Sequence, residues 1–178
     1  KHPEWIAGFR EYDATEHEKV IKHMTHPTDG EITMAEVVHL LSEKTKGEAV
    51  IVADVGQHQM IAARYYKATK PDSFVTSGGL GTMGFGLPAA MGAKVAAPER
   101  EVILIAGDGG FQMNIQELAT IAQEKLAVKV IILNNNFLGM VRQWQELFFE
   151  KRYSFVEMHN PDFVKVSEGF RIAAEKVT

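Results

Sequence analysis

A chain of 178 residues with 46% hydrophobic and 24% charged residues has the composition of an ordinary globular domain with a sizeable core. Its formal charge of −4, from 19 basic and 23 acidic residues without a basic cluster, argues against a nucleic-acid surface. The lack of cysteine excludes disulfides and thiolate metal sites, and no apolar run reaches the roughly 18 residues of a membrane span.

Residues 1–30 are polar, rich in His and Glu, and end in the turn cluster HPTDG; they read as a linker or peripheral helix. His23 and His26 do not make a zinc site, because no further ligands cluster nearby. In TMAEVVHLLSEKTKG, Thr33 and Glu36 have capping-box spacing, apolar residues recur at helical intervals, and Gly47 can stop the helix. EAVIVAD is a short apolar run fit for a buried strand, GQHQMIAARYYK reads as a helix and SFVTS as a second short strand. GGLGTMGFG opens a helix through LPAAMGAKVAA, EVILIAG is a third strand, and NIQELATIAQEK is a further helix. VKVIIL is a fourth strand ending in Asn134, Asn135 and Asn136, and GMVRQWQELFF is the helix after it. This alternation of elements, with continuously apolar strands, predicts an α/β domain: a parallel sheet with helices on both faces, over 31–178. No internal repeat or low-complexity segment appears.

In such sheets ligands bind beyond the carboxyl ends of the strands, at a switch point. Four strand ends therefore matter, at 54–59, 77–86, 107–111 and 134–139. The third is the most telling, because Asp108 closes an apolar strand with glycine on both sides. One reading is a dinucleotide fold. Gly79, Gly81 and Gly84 match G-x-G-x-x-G after a strand, and Asp108 at the end of the next strand would hold a ribose hydroxyl. The other is a metal-diphosphate site. Gly107 and Gly109 let the backbone approach a phosphate, and the following helix aims its amides at the anion. A bare carboxylate beside a diphosphate is unfavourable, by roughly 4 kcal/mol per like-charge pair at 4 Å and an effective dielectric of 20. A divalent cation between them reverses that sign, and Mg²⁺ takes about six oxygen ligands. Asp108 supplies one, and an amide oxygen from the Asn run can supply another. A dinucleotide site has no need of that run, so the metal reading is preferred. Asp108 as a mere helix cap and Asn134 to Asn136 as a mere turn are the plain alternatives; of the three, Asn134 is the most structural.

The pattern Gly107-Asp108-Gly109 followed by Asn134-Asn135 resembles the signature of thiamine-diphosphate enzymes. The strings VGQHQM, SGGLGTMGFGLPAAMGA, GDGGFQMNIQELATI and LNNNFLGMVRQWQELFF resemble the catalytic subunit of acetolactate synthases, nearly unbroken from Val55 to Tyr153. The resemblance implies the C-terminal, diphosphate-binding domain of that family. The pyrimidine-binding and central domains would precede Lys1, and the end of this domain would be truncated, since the chain lacks an initial Met and stops at Val177-Thr178 without an end signal.

The resemblance further implies that Asp108, the side chain of Asn135 and the carbonyl of Phe137 ligate Mg²⁺. Gln57, His58 and the amides near Gly107, Gly109 and Gly110 would hold the diphosphate of thiamine diphosphate. Gly81 and Met83 would line its aminopyrimidine, Met83 beneath the bend of the cofactor. Met140 would touch the cofactor and, with Trp144 one helical turn on, line a substrate channel; Arg142 points elsewhere. The expected reaction decarboxylates pyruvate and condenses the two-carbon unit with a second 2-oxo acid, in branched-chain amino-acid biosynthesis. No residue of the chain matches the family's activating glutamate, which comes from the pyrimidine-binding domain of a partner subunit, so the piece alone is expected to be inactive. The full-length protein is expected to be a cytoplasmic homodimer or homotetramer. It would bind FAD through an absent domain and have a regulatory subunit, with no nucleic-acid or membrane partner. Rivals are another thiamine-diphosphate decarboligase or decarboxylase, such as a glyoxylate carboligase, and a dinucleotide-binding oxidoreductase domain. A third is a non-catalytic piece that keeps only the fold.

Overall fold

The run Val102–Gly107 is apolar at every position because neither of its faces meets water. In the computed structural model, which describes residues 2–25, 30 and 32–178, this strand (β3) lies inside a four-stranded parallel sheet. The others are β1 (Val50–Ala53), β2 (Phe74–Thr76) and β4 (Val128–Leu133), in the order β2-β1-β3-β4. Side chains alternate across the sheet. Ile51, Ala53, Ile103 and Ile105 point to one face, where Ala35 and Val38 of α3 (Met34–Lys44) and Ala62 and Tyr65 of α4 (Gln57–Tyr65) cover them. Val50, Val52, Val102, Leu104 and Ala106 point to the other. There they meet α5 (Gly86–Ala96), α6 (Asp108–Met113), α7 (Leu118–Gln123) and α9 (Phe163–Gly169). Ile51, Ile103, Leu104 and Ile105 are among the largest fully buried side chains, each worth about 1.5–3 kcal/mol of burial. The expected parallel sheet, covered on both faces, is what the chain forms.

Local signals act where expected. Thr33 caps α3 by accepting from the Glu36 N–H at 3.1 Å, and Gly47 (φ +68°) sends its N–H back to the Ser42 carbonyl at 2.9 Å beyond the helix end. The N-terminal stretch is helical: α1 (Pro3–Glu16) passes through a π-turn (His17–Ile21) into α2 (Lys22–Thr25). It is tied to α4 by an ion pair at 2.8 Å between Glu16 and Arg64. Of the turn expected over 26–30, only Gly30 lies among the described residues, at φ +79°; the rest, with His26, lies outside them.

Three differences bear on the site. The glycine loop does not open a helix directly: 77–85 is an extended turn, and α5 begins only at Gly86. The helix expected from Asn114 onward is preceded by α6, which starts at Asp108 itself, and is interrupted by a 3₁₀ turn (Ile115–Glu117) before α7. Residues 163–169, given no element from sequence, form α9, capped by Asp162, which accepts from the Val164 and Lys165 N–H groups. The helix expected after β4 forms as α8 (Gly139–Phe148).

Candidate functional site

The strand order reverses at β1, which carries β2 on one side and β3 on the other. The crevice of a parallel sheet opens at such a point, beyond the carboxyl ends. Asp54 leaves the tip of β1 and Asp108 the tip of β3, and both carboxylates are buried, 1% and 2% exposed. The Gly107↔Leu133 register puts the tips of β3 and β4 level. Asp108 and Asn134 are therefore the first residues past two adjoining strands.

The order also settles the dinucleotide reading. In a dinucleotide fold the glycine-rich turn and the ribose-binding acid end neighbouring strands. Here β1 stands between β2, which precedes the glycine loop, and β3, which ends in Asp108. Nor does the Asp108 carboxylate cap a helix: Gly107 is the N-cap of α6 and no side chain bonds there.

Asp54 has a task that motif spacing missed. Its Oδ2 accepts the Gly84 N–H and its Oδ1 the Gly86 N–H, both at 3.3 Å. That fastens the far end of the glycine loop to the tip of β1. Gly84 takes φ +81°, and any Cβ on Gly110 would run into Asp54 Oδ2. The same loop presents Gly81, exposed, and Met83, half-buried. The signal for Asp54 was present: like Asp108, it is a carboxylate at the end of an apolar strand.

His58 lies between these two carboxylates and is 6% exposed. Its Nε2 accepts the Gly107 N–H at 3.2 Å, so the ring is neutral and protonated at Nδ1, toward the Asp54 backbone carbonyl. Burial holds its pKa below the usual 6.5, against the opposing pull of Asp54 and Asp108. The ring fills the space a side chain at Gly107 would need. His58, expected to hold the diphosphate, stands at the β3 tip, where its Nε2 accepts from the backbone beside Asp108. Gln57 remains in the crevice: its Nε2 donates to Gln143 of α8 at 2.9 Å, and its Oε1 leaves no room for a Cβ on Gly139.

The asparagine run divides by parity. Asn134 Oδ1 accepts the Asn136 N–H, and Asn135 Oδ1 accepts the Phe137 N–H, each at 3.1 Å. The amide nitrogen of Asn135 stands 3.1 Å from where a Cβ on Gly139 would be, near Gln57. Asn134 and Asn136 turn the other way and converge on Asn160, whose Nδ2 lies 3.0 and 3.1 Å from their Oδ1 atoms. The same Nδ2 donates to Asp108 Oδ2 at 2.6 Å. Asp108 thus meets Asn134 and Asn136 through Asn160, a residue that no motif singled out; Asn160-Pro161-Asp162 signals only a turn. Among the described residues, Asp108 Oδ1 and the Phe137 carbonyl accept no hydrogen bond. Beside the Asn135 amide oxygen they make a set of hard oxygen donors, the kind Mg²⁺ takes. Among the described residues no group of three His, Asp or Glu side chains is placed to hold a metal ion.

On α8, Met140 is half-buried, while Trp144 is 54% exposed and stacks on Phe148 with centroids 5.0 Å apart. Arg142 points elsewhere, over the Phe137 ring at 4.0 Å and the Tyr153 ring at 5.1 Å.

Residues 54–178 match the family described as "Thiamine pyrophosphate enzyme, C-terminal TPP binding domain". The chain is 49% identical over 154 residues to the acetolactate synthase isozyme 2 large subunit of Escherichia coli (strain K12), covering 86% of the chain and 28% of that protein. It is 49% identical over 152 residues to the acetolactate synthase large subunit of Lactococcus lactis subsp. lactis (strain IL1403), covering 85% and 26%. It is 52% identical over 157 residues to the mitochondrial acetolactate synthase of Schizosaccharomyces pombe (strain 972 / ATCC 24843), covering 86% and 24%. The chain thus spans about a quarter of the length of these relatives.

Proposed function

The chain belongs to the thiamine pyrophosphate enzymes, whose C-terminal TPP binding domain it carries, and from that premise we propose that it is the diphosphate-binding portion of an acetolactate synthase large subunit. The domain begins near residue 31 in this reading, before the first strand. The whole enzyme decarboxylates pyruvate and joins the two-carbon unit to a second 2-oxo acid. One observation carries the reading: Asp108 and the asparagine run leave adjoining strand tips held level by the Gly107↔Leu133 pairing.

Thiamine diphosphate, when bound, supplies the carbon nucleophile that adds to a 2-oxo acid and lets CO₂ leave. The protein's part is to bind, orient and exclude water. Asp108, Asn135 and the Phe137 carbonyl would hold Mg²⁺. The donor set supports this, because Asn160 engages only one oxygen of the Asp108 carboxylate and leaves the other, with two neutral oxygens, for a hard cation. Gln57, His58 and the amides near Gly107, Gly109 and Gly110 would hold the diphosphate, and the bond from the Gly107 N–H to His58 keeps that ring at the β3 tip. Gly81 and Met83, on the loop anchored to Asp54, would bear on the aminopyrimidine. Met140 and Trp144 would face the substrates. The glutamate that activates the pyrimidine would come from a partner subunit, which makes the working enzyme a homodimer or homotetramer. FAD, a regulatory subunit and a cytoplasmic setting complete the proposal, on the likeness to the relatives alone.

Calorimetry of thiamine diphosphate binding to the whole enzyme, in Mg²⁺ and in EDTA, tests the reading. Binding is expected only with Mg²⁺, and the loaded enzyme should turn pyruvate into acetolactate. Equal affinity in the two conditions overturns it.

A further inference from the structure

We propose that Asn160 is the positioning residue for Asp108: its amide engages Oδ2, so that Oδ1 is the atom presented to the cation. The inference rests on Asp108 being a magnesium ligand, and it adds a residue some fifty positions along the chain.

The orientation of the amide follows from its neighbours. The Asp108 backbone carbonyl can only accept, so the Gln112 side chain turns its Nε2 toward it, at 3.1 Å. The same Nε2 reaches Asn160 at 2.9 Å and requires an acceptor there, which is Asn160 Oδ1. Asn160 Nδ2 is then left facing the carboxylate, at the short 2.6 Å of a charge-assisted bond. Gln112 and Asn160 thus grip Asp108 twice, at its main chain and at its side chain. Gln112 lies one turn after Asp108 on α6, so the grip is rigid.

The other contacts of Asn160 extend this to the second strand tip. Nδ2 carries two hydrogens and faces three oxygens, those of Asp108, Asn134 and Asn136. Holding Asn134 and Asn136 on one side of the chain commits Asn135 to the other, where it lies by Gln57 and Gly139. One amide therefore sets the carboxylate of one proposed ligand and the facing of the next. Partners of this kind orient the groups that touch a metal and tune its affinity.

The test is a Mg²⁺ titration of the whole enzyme at saturating thiamine diphosphate, followed by calorimetry and tryptophan fluorescence. The melting temperature of the metal-free enzyme is measured beside it. Asn160→Ala should raise the Mg²⁺ concentration for half-saturation by about 10–100-fold, with the metal-free melting temperature little changed. Gln112→Leu, which frees the Asn160 amide to rotate, should raise it by a smaller factor. An unchanged Mg²⁺ requirement in both variants, with a lowered melting temperature, overturns the proposal and leaves Asn160 as a brace for the loop before α9. If Asn160→Ala does not fold, Gln112→Leu decides in the same way. A wild-type enzyme that binds thiamine diphosphate equally well in EDTA overturns the magnesium reading itself, and this proposal with it.

Discussion

At the scale of single residues, the buried carboxylate of Asp54 and the missing side chain of Gly110 are two halves of one arrangement. Asp54→Ala would orphan the Gly84 and Gly86 amides, each at a cost of about 1–3 kcal/mol, and release the loop that bears Met83. Gly110→Ala would push Asp54 off those amides, at a cost of about 1–3 kcal/mol. Because the second substitution acts through the first residue, the double variant should lose less than the sum of the two, by urea denaturation. Strict additivity would mean that the two positions do not meet. His58 gives a pH dependence whose sign is fixed by burial. Above its ordinary pKa of 6.5 the ring is neutral in both folded and unfolded chains, and its contribution to stability is fully present. As pH falls below 6.5 the unfolded ring takes a proton first, and stability declines until the folded ring, with its lowered pKa, also titrates. His58→Gln keeps an acceptor for the Gly107 N–H and should flatten this decline in denaturation midpoints taken across that range. A variant with the same slope as the wild type would assign the decline to other groups.

At the scale of elements, the central strands should open last. The inner residues of β1 and β3 pair on both sides and sit under two helical layers, whereas β2 and β4 pair on one side only among the described residues. Amide exchange should therefore be slowest at Ile51, Val52 and Ile103 to Ile105, and faster along β4 and α8. Equal protection in β4 would show that its outer edge is covered. This is also where the sequence speaks most clearly. Apolar runs, a capping Thr33 and a helix-ending Gly47 are local signals, and strands and helices followed them. Asp108 announced itself because a carboxylate has no business at the end of a buried strand without a partner. Asn160 did not, because its meaning lies in atoms distant along the chain and its own surroundings carry only turn residues. The contact of His58 with the β3 tip was illegible for a related reason: only the packing of two strand tips brings its ring to the Gly107 N–H. The 3₁₀ break before α7 and the short α9 have weak periodicity, and tertiary packing decides them.

For the molecule as a whole, the apolar surface is unevenly distributed. Trp5, Phe9 and Tyr12 on α1 and Trp144, Leu147, Phe148 and Phe149 at α8 are all at least half exposed. Single exposed apolar residues are normal, but clusters of large ones on two helices are not. The chain expressed by itself should self-associate with rising concentration, visible as a growing mean mass in sedimentation velocity. Leu147→Lys with Phe148→Glu should reduce that association without lowering the melting temperature, since neither side chain supports the core. A monomer at all concentrations would show that these clusters are inert. Among the described residues no helix is long and apolar enough to cross a membrane, so the clusters are not parts of a span.

The level pairing of β3 with β4 has a consequence for how this protein tolerates changes in length. Deleting or adding a single residue within Val128–Leu133 shifts every later side chain by one place relative to the pleat, exchanging Asn135 for a neighbour on the opposite side. The turn before β4, where Lys125 already takes φ +50°, can absorb an extra residue on the surface. Indels on the two sides of Val128 should thus fare very differently, the outer ones accepted and the inner ones abolishing the site while leaving much of the sheet able to form.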